Sequence, residues 1–325
     1  MRFRRLYLAI LGLALVGCQK NEDIFVPDEL GLDELQGEIN HLLAQMPFEE
    51  EVFQWVANKS NTFFTRTGAR LSFPENAFVR LDGETDLSGV VEVRIKEVVR
   101  KGDMIRCQVP TMIGDNLLET FGALHIEAEL GGVKLVLKAG VKIDWDIPSE
   151  DFNAALDLFY GLEGVGTNVR WVGATEVFTN QEPVRPVKIL TPEGASLNAY
   201  KAQPQQLGWW SCSRMVVSEV EAEQMQLKID SPAFFVGQNT AVYLVFENRQ
   251  TVVPLIWNEM EGDGQFSSPL VPVGEDIIVV AIAEGASGRS FLGFRTIETE
   301  RSMQTLTLPL VQRSLHTIQL FLNSL

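Results

Sequence analysis

Cysteine and histidine are scarce in this sequence, three of each in 325 residues. Thiols so few exclude a disulfide framework, and with no CxxC pair and no metal-ligand spacing a zinc site is excluded too. No GxSxG or HExxH segment occurs, and none of His41, His125 and His316 stands in a motif with a serine or cysteine nucleophile, so a hydrolase triad lacks support. Positive charge is also short, with 27 Lys and Arg against 43 Asp and Glu for a net of −16. Such a chain repels phosphate backbones and anionic head groups, which argues against nucleic acid as a partner and against membrane attachment through a basic patch. No apolar run reaches the roughly 20 residues that a spanning helix needs. No internal repeat and no low-complexity tract is evident.

What the sequence does have begins at its start. Met1-Arg2-Phe3-Arg4-Arg5 is basic, Leu6 to Gly17 is apolar, and Leu15-Val16-Gly17-Cys18 follows. A charged start and a short apolar run have the form of an export signal. The last four residues resemble a bacterial lipobox, which implies lipid on the Cys18 sulfur, cleavage after Gly17 and acylation of the new amino group. Removal of residues 1–17 takes Arg2, Arg4 and Arg5 and moves the net charge from −16 to −19. Several acyl chains on one cysteine hold firmly where one holds marginally. Cys107 and Cys212 remain. Either they form one disulfide in an oxidising compartment or they are buried thiols acting as small hydrophobes, the reading given more weight.

The rest, roughly 300 residues, suits two or three domains. After a polar stretch, Leu32, Leu35, Ile39, Leu42, Leu43 and Met46 recur at spacings of three and four, which predicts a helix ending near Pro47. Glu49-Glu50-Glu51 with Phe53, Trp55 and Val56 reads as a second short helical piece. From Thr62 the period changes to two. Val91, Val93 and Ile95 alternate with charged residues, as do Leu124, Ile126, Ala128 and Leu130, and Gly131-Gly132 then supplies a hairpin turn to Val133, Leu135 and Leu137. Residues 149–230 read as irregular, with a short helix or strand at Phe152–Tyr160, a strand signal at Arg170–Val172 and a proline-rich connection over 182–208. Beyond Asp230 five strand patterns follow, the last of them Leu315–Leu322.

Chemistry-bearing candidates each have a plainer reading. His125 falls on a polar strand face, His316 on an apolar one, and His41 on the polar side of the predicted helix. Asp144 and Asp146 share a strand face roughly 7 Å apart, a spacing compatible with a glycosidase pair or a calcium site, though two acids on an exposed face are ordinary. Glu259-Met260-Glu261-Gly262-Asp263-Gly264 resembles a fragment of a calcium loop without its full ligand spacing and reads as a turn. Gly161-Leu162-Glu163-Gly164-Val165-Gly166 also reads as a turn. Trp209 and Trp210 offer a candidate aromatic platform for a sugar, with core packing as the default.

Three stretches carry a resemblance. Thr65-Arg66-Thr67-Gly68-Ala69-Arg70-Leu71-Ser72-Phe73-Pro74-Glu75-Asn76-Ala77-Phe78, with Asp82-Gly83 and Gly89-Val90-Val91-Glu92-Val93, is similar to lipoproteins of the Bacteroidota, as are Leu118–Ala128 and Gly208-Trp209-Trp210-Ser211-Cys212-Ser213-Arg214. The first stretch resembles, more distantly, the sandwich domain of ankyrins and netrin receptors. The His-Phe-Ser self-cleavage site of some relatives is absent, since Leu42, Ile126 and Thr317 follow the three histidines. Gln19-Lys20-Asn21-Glu22-Asp23 is similar to the signal that sends such lipoproteins to the cell surface.

The expectation is therefore a mainly β protein. It has a signal peptide over 1–17, an acidic tether and helix over 18–60, antiparallel β-sandwiches over 61–148 and 231–325, and an irregular connection over 149–230. Its expected role is a non-enzymatic binding or envelope-assembly component without cofactor, lipid-anchored in the outer membrane with an envelope protein or glycan as partner. The alternative is a surface accessory that binds or processes glycans.

Overall fold

The computed structural model describes residues 38–85, 87–162, 168–216, 224–225, 227–230, 235–258, 265–285, 288–300 and 304–325. The protein is mainly β, built from sheets whose pairings are antiparallel except the parallel one between Leu227–Asp230 and Gln304–Thr307, with a few short helices.

The first sandwich pairs a nine-stranded sheet with a five-stranded one. Along the main path of the larger sheet the strands run Glu51–Val56, Val90–Val98, Asn116–Leu130, Gly208–Met215, Asp157–Leu162 and Arg170–Gly173. The smaller sheet runs Arg185–Leu190, Ser196–Ala202, Asp144–Pro148, Arg70–Phe73 and Asn61–Phe64. Alternation explains the faces. Val91, Val93, Ile95, Leu124, Ile126, Trp210 and Cys212 project inward from the first sheet onto Leu71, Phe73, Trp145, Ile147 and Tyr200 of the second, all buried in one core. The Gly131-Gly132 hairpin is present, with φ of +60° and +79° and Leu130 paired to Val133, the mirror-image turn that glycine accepts without strain.

The second sandwich sets Val252–Pro254, Thr240–Phe246, Asp276–Glu284, Ser290–Glu298 and Val311–Gln312 in one sheet and Ile256–Asn258, Gln265–Ser267, Leu227–Asp230 and Gln304–Thr307 in another. Ile229 and Phe266 meet Val242, Leu244, Phe246, Ile277 and Val279 between them. Thr240–Phe246 is apolar on both faces because both faces are covered. Its other face, with Tyr243 and Val245, joins Val280, Ile282 and Leu292 in a third core that also takes Leu118, Ala123, Phe159, Trp171 and Trp209 from the first sandwich. Helices α1 (Ile39–Ala44), α2 (Lys101–Arg106) and α4 (Leu315–Asn323) pack into this same junction through Leu42, Leu43, Met104, Ile105, Ile318 and Leu322; α3 (Ala174–Val177) lies by the Asp157–Leu162 and Arg170–Gly173 strands.

Several expectations are corrected. Residues 149–230 are no irregular connection, because Asp157–Leu162, Arg170–Gly173, Arg185–Leu190, Ser196–Ala202 and Gly208–Met215 complete the first sandwich, which therefore does not close at residue 148. The proline-rich stretch still makes a strand since Arg185–Leu190 is a sheet edge, where the missing N–H of Pro186 costs little. Glu51–Val56 is a strand paired over its length with Val90–Ile95, not a helix. Leu315–Asn323 is a helix, not a strand: Ser314 caps it by accepting from the Thr317 N–H, and Ile318 and Leu322 form a buried i,i+4 stripe. Gly161 and Leu162 belong to a strand rather than a turn, while 163–167 and 259–264 lie outside the described residues. So do Cys18, the export signal, Leu32 and Leu35.

Candidate binding cleft

The outward face of the nine-stranded sheet changes character along one row. Lys96 stands opposite His125, His125 opposite Trp209, Trp209 opposite Gly161 and Gly161 opposite Trp171. Gly161 has to be small. A Cβ there would lie 2.5 Å from the Trp209 Cβ and 2.6 Å from the Val169 Cγ1. That bare position lets Trp171 and Trp209 sink into the junction core, and Trp171 Nε1 donates to the Pro110 carbonyl at 2.6 Å. His125 is consequently 6 % exposed, its ring centroid 4.7 Å from that of Trp209, which corrects its expected place on a solvated face.

On the other half of the face charge takes over. Arg94 Nη2 donates to Glu92 Oε1 at 2.7 Å and to Glu129 Oε1 at 2.8 Å, and Gln54 Nε2 donates to Glu92 Oε2 at 2.9 Å. Hydrogen bonds from Gln54 and then Arg94 hold the Glu92 carboxyl below its ordinary pKa. Between the two halves opens a cleft of about 380 Å³ with His125 and Trp209 in its floor and Arg94, Glu127, Lys134 and Leu162 on its walls. An aromatic floor under a rim of both charge signs can orient an amphipathic ligand. Its described lining contains no serine, threonine or cysteine to act as a nucleophile. His41 Nδ1 lies 2.9 Å from Glu284 Oε1 on the second sandwich, and His316 is exposed on α4, so the three histidines serve different elements.

The other candidates separate. Trp209 is 6 % exposed and Trp210 fully buried, with Trp210 Nε1 donating to the Gln206 carbonyl at 2.9 Å. Trp210 presents no ring face and Trp209 only the small part that floors the cleft, so the expected two-tryptophan platform is not formed. Asp146 is fully buried rather than solvated, 2.6 Å from Arg70 Nη2 and 3.4 Å from Lys201 Nζ; Asp144 accepts from Lys201 at 2.8 Å and Gln203 at 2.7 Å. The pair is a structural ion cluster, with both positive partners in place. No group of three metal-ligating side chains is found among the described residues.

Cys107 and Cys212 are free. The disulfide is ruled out by layer. Cys212 projects into the first sandwich core, whereas Cys107 follows α2 on the opposite side of the nine-stranded sheet, against the junction core. Burial pushes the Cys107 thiol up to about 12 and that of Cys212 further in the same direction.

Sequence reading missed the cleft, although Glu92, Arg94, Glu127 and Glu129 were visible as polar partners of core residues. The pairing of the 90s with the 120s, which turns two alternating strands into one rim, is a long-range fact.

No family model matches the chain, and no curated protein matches it. Among solved structures, a gamma-CGTase from alkalophilic Bacillus clarkii is similar at 9 % identity and a TM-score of 0.22, over 79 % of this chain and 41 % of the CGTase chain. This chain thus spans about two-fifths of that enzyme, and a likeness of that size carries no argument about fold or activity. No helix among the described residues is long and apolar enough to cross a membrane.

Proposed function

We propose that the protein is a non-enzymatic binding component of a bacterial cell envelope, held to the outer membrane by lipid on Cys18, and that it takes its partner in the cleft above His125 and Trp209. The observation that carries the binding role is the cleft itself: a rigid sheet face whose ion pairs, Arg94 with Glu92 and Glu129, fix the rim beside an aromatic floor. The lipid role rests on the basic start, the apolar run and Leu15-Val16-Gly17-Cys18. Burial of Trp209 and Trp210 removes the feature on which the glycan reading depended.

Two measurements test the reading. Labelled palmitate should enter the wild-type chain and not Cys18→Ala; equal labelling refutes the anchor. From detergent-solubilised membranes, wild type should retain a reproducible protein partner that Glu127→Lys with Lys134→Glu loses at least tenfold. An unchanged partner set, or none, refutes the cleft as the binding site.

A further inference from the structure

The outer side of α4 is bare. Leu320 is 55 % exposed, and Phe294, 57 % exposed, stacks on Phe321 with ring centroids 4.6 Å apart and planes 27° from parallel. Phe294 stands opposite Val280 and continues outward the face on which Leu292 enters the junction core, so these rings extend a buried apolar surface into solvent. From Ser314 to Leu325 there is no Asp, Glu, Lys or Arg, in a chain of net charge −16. The acidic repulsion that the rest of the chain would set against a lipid surface is locally missing here.

The patch also lies at the end where the chain enters the fold. The Glu38 N–H donates to Glu284 Oε2 at 2.9 Å, Glu284 pairs with Ser290, and the Arg313 N–H donates to the Ser290 carbonyl one residue before the cap of α4. Phe294 is four residues along that strand from Ser290, about 13 Å. Residues 18–37 amount to at most about 70 Å of chain, so a lipid on Cys18 tethers the molecule by its Glu38 end and holds the patch within reach of the bilayer. We infer that the uncharged patch of Phe294, Leu320 and Phe321 rests on the bilayer surface. The inference rests on the proposed lipidation of Cys18. Two exposed apolar side chains have little affinity for lipid alone, and the tether makes that sufficient by raising their effective concentration at the membrane.

The test uses the lipidated chain in phosphatidylcholine vesicles, with a nitroxide on Leu320→Cys or on Leu190→Cys. Leu190 is 63 % exposed on the outlying five-stranded sheet. Cys107 and Cys212 are replaced by alanine in both labelled variants, so the nitroxide goes to the introduced thiol alone. Collision with oxygen relative to a water-soluble nickel chelate is expected to be several-fold higher at 320 than at 190, and to fall to the 190 value when Phe294→Glu is added. Equal ratios at the two sites in palmitate-labelled protein overturn the patch and leave the anchor standing. Low accessibility to both reagents at 320 also overturns it, because a protein is then seated there. Absence of palmitate on Cys18 overturns both readings.

Discussion

Asp146 shows how much one buried residue depends on its neighbours. Its carboxylate is enclosed, with Arg70 at 2.6 Å as its nearest cation, so removing that cation leaves a charge in the core without adequate compensation. Arg70→Ala is expected to destabilise the protein by about 3 kcal/mol in urea unfolding; a change below 0.5 kcal/mol would show Lys201 to be sufficient alone. Glu97 behaves in the opposite sense to a paired acid. Burial raises its pKa above the ordinary 4.5 despite hydrogen bonds from Thr65 and Thr67, so the native state loses stability as pH rises from 4.5 through the raised value. Glu97→Gln should therefore raise the urea midpoint at pH 7, the gain vanishing as pH falls toward 4.5, and a gain independent of pH would contradict this. For the thiols, native protein should resist alkylation at pH 7 while unfolded, unreduced protein takes up reagent at both Cys107 and Cys212. A mass deficit of two hydrogens would restore the disulfide. At this scale sequence identified Asp144, Asp146 and the cysteines as residues worth weighing, and missed the partners of the two aspartates, because Arg70 and Lys201 arrive from strands distant in the chain and Gln203 from the residue after one of them.

Elements are held by positions too small to attract notice. Gly102 in α2 lies so close to the Leu322 carbonyl of α4 that an added Cβ would overlap it. Gly102→Ala should thus push α4 off α2 and cost roughly 1–3 kcal/mol, with hydrogen exchange accelerating in Leu315–Asn323 before it does elsewhere; unchanged exchange there would mean the helices adjust without separating. Strands with strict alternation and a glycine turn, Val90–Val98 and the hairpin around Gly131-Gly132, were legible because the period and the turn agree. Glu51–Val56 and Leu315–Asn323 were not. The first looked helical beside three glutamates yet completes a sheet edge, and the second carries apolar residues at both two- and four-residue spacing, so tertiary cover chose between them.

Across the whole molecule the decisive fact is the junction core. Trp171 and Trp209 of one sandwich, Tyr243 and Val280 of the other and side chains of three helices share it, so neither sandwich has a complete surface alone. Thermal unfolding should accordingly be one calorimetric transition, and two well-separated transitions would refute the coupling. Sequence gave the class, mainly β with antiparallel sheets, but placed the first boundary at 148. Local pattern has no means of announcing that Asp144–Pro148 waits for Ser196–Ala202 or that Asn116–Leu130 waits for Gly208–Met215.

One contact sets a schedule as well as a shape. Glu38 and His41, at the start of the described chain, are fastened to Glu284, 246 residues beyond Glu38. A ribosome releases the first of these long before the last, and loop closure over such a span is slow. The first helix among the described residues, Ile39–Ala44, is therefore among the final pieces to find its seat, because its anchor waits for the Asp276–Glu284 strand to be laid down.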